Sequence, residues 1–106
     1  MTMNFHKYQH EAMSFRLQSA DDLYALFNLA GEVGELMSAE AKLRRDGGDV
    51  GQHLDNVKKE LGDILWCITA IASDNLMTLE DVAQANIDKL TSRKARNVLQ
   101  GHGDNR

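Results

Sequence analysis

A chain of 106 residues that is 42% hydrophobic, 26% charged and 6% aromatic makes one domain and leaves no room for two. Proline is absent and aromatics are few, so the punctuation of a many-stranded sheet is missing and an all-β fold is all but excluded, while long helices are free to run. Twelve Lys and Arg against sixteen Asp and Glu leave a net charge of -4, which argues against a nucleic acid polymer as the main partner.

A domain near this length buries roughly 65% of the surface of its unfolded chain, a modest core that association with a second copy would extend. The single Cys67 rules out an internal disulfide and, inside an apolar run, reads as a small core residue. The start, Met1 to His6, is too polar for a secretory leader, and no apolar run approaches membrane-spanning length. A cytoplasmic location without membrane contact is expected.

Phe5, Tyr8, Ala12 and Phe15 recur at helical spacing and predict a short first helix. Ser19 followed by Asp22 reads as a capping box, behind which Leu23, Leu26, Ala30, Val33 and Met37 mark an apolar stripe toward about Leu43. The segment Arg44 to Gly51, with glycine at 47, 48 and 51, predicts a loop. A third helix follows on Leu54, Val57, Leu61, Ile64, Leu65, Ile68 and Ile71, ending near Ser73 to Asn75. Thr78 with Asp81 caps a fourth, carrying Val82, Asn86 and Leu90 on one face out to about Asn97. Residues 1–100 are read as the domain, and 101–106 as a flexible tail with nothing to bury.

Glu32 and Glu35 lie three apart on the second helix, and Glu60 and Asp63 lie three apart on the third, each pair bordering its apolar stripe. Packing the stripes together brings four carboxylates toward one another, where they repel unless a divalent cation holds them ionised. Hard oxygen ligands without His or Cys point to Mg²⁺ or Mn²⁺ over zinc, and the Glu-x-x-His repeat of di-iron bundles is missing. One acidic pair on an amphipathic helix is ordinarily a solvated face; two matched pairs on neighbouring helices make that explanation weaker.

These residues also resemble a family. Leu29 to Leu36, with Glu32 and Glu35, and Lys59 to Trp66, with Glu60 and Asp63, look like the E-x-x-E and E-x-x-D halves of the signature of MazG-type nucleoside triphosphate pyrophosphohydrolases. Asn86, Lys89, Leu90 and Arg93 resemble the downstream N-x-x-K-L segment, and Tyr8, Gln9 and Ala12 echo the family's first helix. The resemblance implies an all-α, four-helix MazG-type bundle in a homo-oligomer. It also implies Mg²⁺ held by Glu32, Glu35, Glu60 and Asp63, with one glutamate able to orient or deprotonate water. The implied reaction converts a nucleoside triphosphate to monophosphate and pyrophosphate. Phosphoribosyl-ATP pyrophosphatases share the acidic helices, but the run from Asn86 to Arg93 looks more like MazG.

The chemistry suits the residues in its own right, because carboxylate-held Mg²⁺ neutralises phosphate oxygens and activates water without a covalent nucleophile. No P-loop is present, since the glycines at 47, 48 and 51 lack a following Lys-Ser/Thr. Asn86, Lys89 and Arg93 share a stripe able to contact phosphate or sugar; Lys89 and Arg93 are equally ordinary partners of a helix dipole. Tyr24, Phe27 and Trp66 point away from the expected core and are read as a subunit interface of a homodimer or homotetramer, with base stacking as the sharper option. His6 and His10 are given no role, and Lys42 is read as a solvated cation able to reach a phosphate. The rival from another class is a helical regulatory or interaction module that binds nucleotide or metal without turnover.

Overall fold

The computed structural model describes residues 2–106, which form four α-helices and, among the described residues, no strand: α1 (Phe5–Ser14), α2 (Asp22–Asp46), α3 (Val50–Asp74) and α4 (Leu79–Ala95). Each helix begins where a short polar side chain accepts an otherwise orphaned N–H. Asn4 accepts from Lys7 N at 2.8 Å, Asp21 from Tyr24 N at 2.9 Å, Asp49 from Gln52 N at 2.9 Å and Thr78 Oγ1 from Asp81 N at 3.1 Å.

Two expected boundaries are corrected by these caps. Asp21, not Ser19, starts α2, because it stands three residues before the N–H it caps. The expected eight-residue loop shrinks to Gly47, Gly48 and Asp49, since Asp49 caps α3 early enough to take Gly51 into the helix. Gly47 turns the chain at φ 72°, a left-handed conformation that closes α2 with its N–H on Leu43 O at 2.8 Å.

So short a connection makes α2 and α3 an antiparallel hairpin, which carries most of the packing in the molecule. Its seam on α2 is Ala25, Leu29, Glu32, Leu36, Ala39 and Leu43, and on α3 His53, Val57, Glu60, Ile64, Cys67 and Ile71, all buried or half-buried. Alternating steps of four and three keep each set on one side of its helix. The stripe expected to enter the core from α2 is instead the outer one: Leu23, Leu26, Val33 and Met37 are exposed, as are Leu54, Leu61 and Ile68 on α3. Periodicity reveals that a stripe exists; which one turns inward is a matter of helix-on-helix packing, and it is the one carrying buried Ala25.

α1 lies on α3 and α4. The Trp66 indole N–H donates to Ala12 O at 3.0 Å, which removes Trp66 from the exposed aromatic surface expected for it, whereas Tyr24 and Phe27 remain exposed. Gln9 clamps the α3–α4 corner by donating to Ser73 Oγ and Met77 O, both at 3.0 Å, and accepting from Leu79 N at 2.9 Å. Arg16 donates to both carboxylate oxygens of Asp74, at 2.7 and 3.0 Å, and holds that carboxyl below its usual range. α4 meets α1 and α3 and, among the described residues, its backbone does not come close to α2.

Where the sequence predicts a loose tail, the chain folds back. Asn97 takes a left-handed φ of 60°, Val98 N reaches Arg93 O at 2.8 Å and Asn97 N reaches Lys94 O at 3.1 Å, a Schellman turn that lays residues 98–106 along α4. No helix among the described residues is long and apolar enough to cross a membrane.

Candidate functional site

Glu32 and Glu60 occupy positions in the apolar seam, so folding the hairpin desolvates two carboxylates that face each other from opposite helices. Asp63, one turn beyond Glu60 and exposed, joins them: carboxylate oxygens of Glu32, Glu60 and Asp63 lie within 4.8 Å of one another. Glu35 stands outside this trio, on the rim of an open cleft that Glu60 also lines. Of the four acids singled out by spacing, three converge on a point and the fourth borders it.

The environment is unfavourable for so much negative charge. The Glu32 carboxyl is pushed above its ordinary value, mainly by burial, then by the charges on Asp63, Glu35 and Glu60. Glu32 Oε2 and Glu60 Oε2 are both buried without a hydrogen-bond donor. Acceptor oxygens stranded in a seam cost free energy unless something positive meets them. Hard, anionic and convergent, this donor set fits a divalent cation such as Mg²⁺ or Mn²⁺, with Glu32, Glu60 and Asp63 able to hold it and Glu35 beside them.

The cleft, about 840 Å³, opens between the helices toward the Gly47–Gly48 turn. Its walls are Gly31, Gly34, Ser38 and Lys42 from α2, and Gln52, His53 and Asn56 from α3. A Cβ added to Gly31 or Gly34 would meet nothing within 4 Å, so the wall next to the acids is bare backbone. His53 Nε2 sits 2.8 Å from Glu40 Oε2 and ties the two walls together. Lys42, a cation the sequence offers for a phosphate, lies in this wall, and Ser38, Gln52, His53 and Asn56 join it from outside any motif. The signal for Gln52 and Asn56 was present, because they precede Glu60 by eight and four residues on one line of α3.

On the side of the acids nearest α1, Tyr8 has its hydroxyl pushed up by burial and then by the charge of Asp63. Asn28 Nδ2 donates to Cys67 Sγ at 3.4 Å. Burial raises the Cys67 thiol further than this bond lowers it, in keeping with an inert core residue. His6 and His10 are exposed on α1 and belong to no metal-binding group among the described residues.

The helix-four candidates sit elsewhere. Asn86, Lys89 and Arg93 are not among the cleft-lining residues. Asn86 is exposed, which removes the demand that a buried amide find a partner. Arg93 is buried at 4% exposure, where its guanidinium donates to Asp104 O at 2.9 Å and to Gly103 O and Asp104 Oδ1 at 3.3 Å. Lys89 Nζ donates to the same Asp104 oxygen at 3.2 Å.

Comparison with known proteins places this arrangement. The family model described as "MazG nucleotide pyrophosphohydrolase domain" matches residues 21–98, a span holding all four acids and the helix-four run. "Gene 37 protein" of Mycobacterium phage L5 is 40% identical over 85 residues, covering 78% of this chain and 75% of the relative. No solved structure matches the chain. A hairpin of two long helices that brings Glu32 together with Glu60 and Asp63, inside a family match spanning most of the sequence, identifies the chain as a member of the MazG nucleotide pyrophosphohydrolase family.

Proposed function

We propose that this protein hydrolyses (deoxy)nucleoside triphosphates to nucleoside monophosphate and pyrophosphate, using Mg²⁺, or Mn²⁺ as substitute, held by Glu32, Glu35, Glu60 and Asp63. The observation that carries it is the meeting of carboxylate oxygens from Glu32, Glu60 and Asp63 within 4.8 Å, two of the residues bearing buried oxygens without donors, at the end of a cleft open to a small molecule.

A metal bound there supplies charge neutralisation for phosphate oxygens and a water acidified for attack. The protein supplies the rest. Glu32 and Glu60, fixed in the seam, hold the ligand oxygens in place without paying for rearrangement. Glu35, exposed at the rim, orients water and takes its proton. The water oxygen bonds to the α-phosphorus, the α–β anhydride bond breaks and pyrophosphate leaves with that bond's electron pair. The bare wall at Gly31 and Gly34 gives the polyphosphate room against the acids. Lys89, Arg93 and Asn86 serve as substrate contacts, and because none of them lines the cleft of their own chain, a second copy brings them to it. The exposed faces of α2 and α4 supply the surface for that association, with Phe27 73% and Met37 68% exposed.

Asp63→Asn and Glu35→Gln are expected to lower kcat at least a hundredfold with the helical fold intact, on the order of what removing a metal ligand or base costs. The assay follows pyrophosphate against orthophosphate over the common and oxidised nucleotides with Mg²⁺. Near-normal rates in either variant would sink the four-acid site. A wild type that binds nucleotide and turns over none would favour the regulatory module.

A further inference from the structure

Away from the acidic centre, the segment after α4 brings an anion onto the two cations of that helix. Asp104 offers one carboxylate oxygen to both Lys89 Nζ, at 3.2 Å, and the Arg93 guanidinium, at 3.3 Å, while Asp104 O and Gly103 O take the same Arg93 nitrogen. These two cations stand four apart on one face of α4, spaced to share an anion. An acidic side chain and two carbonyls therefore fill the place where a phosphate group would accept the same donors. Arg93 Nε is left buried without a partner, so the tail uses only part of the guanidinium fork.

Beyond that cluster the segment is held by polar contacts. Arg106 closes the segment on itself through Nε to Val98 O at 3.1 Å and NH2 to Leu99 O at 3.0 Å, and Arg96 NH2 at the end of α4 donates to Arg106 O at 2.7 Å. Gly101, at φ 138°, passes so close to Arg106 that a Cβ there would meet Arg106 Cδ at 3.0 Å. Val98 and Leu99, half-buried and 46% exposed, precede the latch, and the Asp104 side chain is 82% exposed, so lifting residues 101–106 forfeits little buried apolar surface.

We propose that residues 101–106 form an intramolecular latch in which Asp104 occupies the Lys89–Arg93 anion site and competes with the polyphosphate of the substrate. This rests on Lys89 and Arg93 being the phosphate contacts of the proposed reaction. Consistent with an ionised competitor, the Asp104 carboxyl is held below its usual range, by the hydrogen bond from Lys89 first and that from Arg93 second. An exposed ion pair is weak, so the latch is graded: it raises the concentration of anion needed and does not block the site. A triphosphate, with several charges and more acceptor oxygens, displaces one carboxylate.

The test compares the full chain, a chain ending at Gln100, Asp104→Asn, and Asp55→Asn as a control that removes an exposed carboxylate elsewhere. Calorimetric titration with inorganic triphosphate in the absence of metal reads the anion site apart from catalysis. Both tail variants are expected to bind roughly two- to fivefold more tightly, the equivalent of up to about 1 kcal/mol. Asp55→Asn is expected to match wild type, and Lys89→Ala to erase the gain. In the wild type, the amides of residues 98–106 should exchange faster when triphosphate binds. Equal affinities throughout, or a gain in Asp55→Asn as large as in Asp104→Asn, would overturn the latch. So would a truncation that lowers only the melting temperature. A chain that hydrolyses no nucleotide but gains triphosphate affinity on tail removal would keep the latch and discard the reaction.

Discussion

Glu32 shows how one side chain ties stability to function. Its seam position buries Oε2 without a donor, and three neighbouring carboxylates raise its titration point further. An acid that titrates higher when folded than when unfolded keeps its proton longer in the fold. Folding stability therefore falls as pH rises from the ordinary Glu value through the raised one, and the cost persists at neutrality. Removing the charge relieves it. In metal-free buffer at pH 7, Glu32→Gln is expected to melt a few degrees above wild type and to lose less stability between acid and neutral pH. Mg²⁺ should raise the wild-type melting temperature and do much less for the variant. Thermal scans with and without Mg²⁺ check both, and a variant that melts lower in metal-free buffer would mean that Glu32 is a structural hydrogen-bonding residue.

At the level of elements, the ends of the helices set the geometry more firmly than their middles. α3 and α4 close with the same six-residue turn, but different residues adopt the left-handed position: Asn97 after α4, at φ 60°, and Leu76 after α3, at φ 59°. Asn tolerates that conformation, whereas a branched apolar side chain costs about 1 to 2 kcal/mol there. Leu76 is 95% exposed, so its side chain makes no compensating contact within one copy. Leu76→Gly is expected to stabilise the monomer by about 0.5 to 1 kcal/mol, or roughly 2 to 8 °C, after the entropy cost of glycine. Urea titration measures it. A loss of stability that grows with protein concentration would instead place Leu76 in an interface between copies.

Across the whole molecule, the buried apolar set among the described residues is Ala12, Ala25, Cys67, Ala70, Ala72 and Leu79, nearly all small, while large apolar side chains on all four helices face outward. Small residues let helices approach closely, but they bury little area, and the outer stripes demand a cover. Self-association as a dimer or tetramer is the expected outcome by light scattering. If α4 of one copy completes the site of another, Glu60→Gln and Lys89→Ala, each nearly inactive alone, should recover roughly a quarter of wild-type activity when co-refolded as a dimer, because half the molecules are hybrids with one intact site. No recovery would place both residues at a site within one copy.

The amino-acid sequence alone determined the helical class, the number of helices and the identity of the acidic pairs. Absent proline, capping residues and three-and-four spacing act over a single turn and need no partner. What it left open required a neighbouring surface. Whether Leu23, Leu26 and Val33 or Ala25, Leu29 and Leu36 faced α3 depended on which side of α2 fits closest, and that choice put Glu32 into the seam. Trp66 reads as interface until Ala12 O takes its N–H, and Arg93 reads as a phosphate contact or a dipole partner until the chain turns at Asn97 and brings back Asp104. Contacts between residues distant in sequence are settled only when the backbone closes, so the acids were legible in the chain, while their convergence and the latch on α4 belong to the tertiary structure.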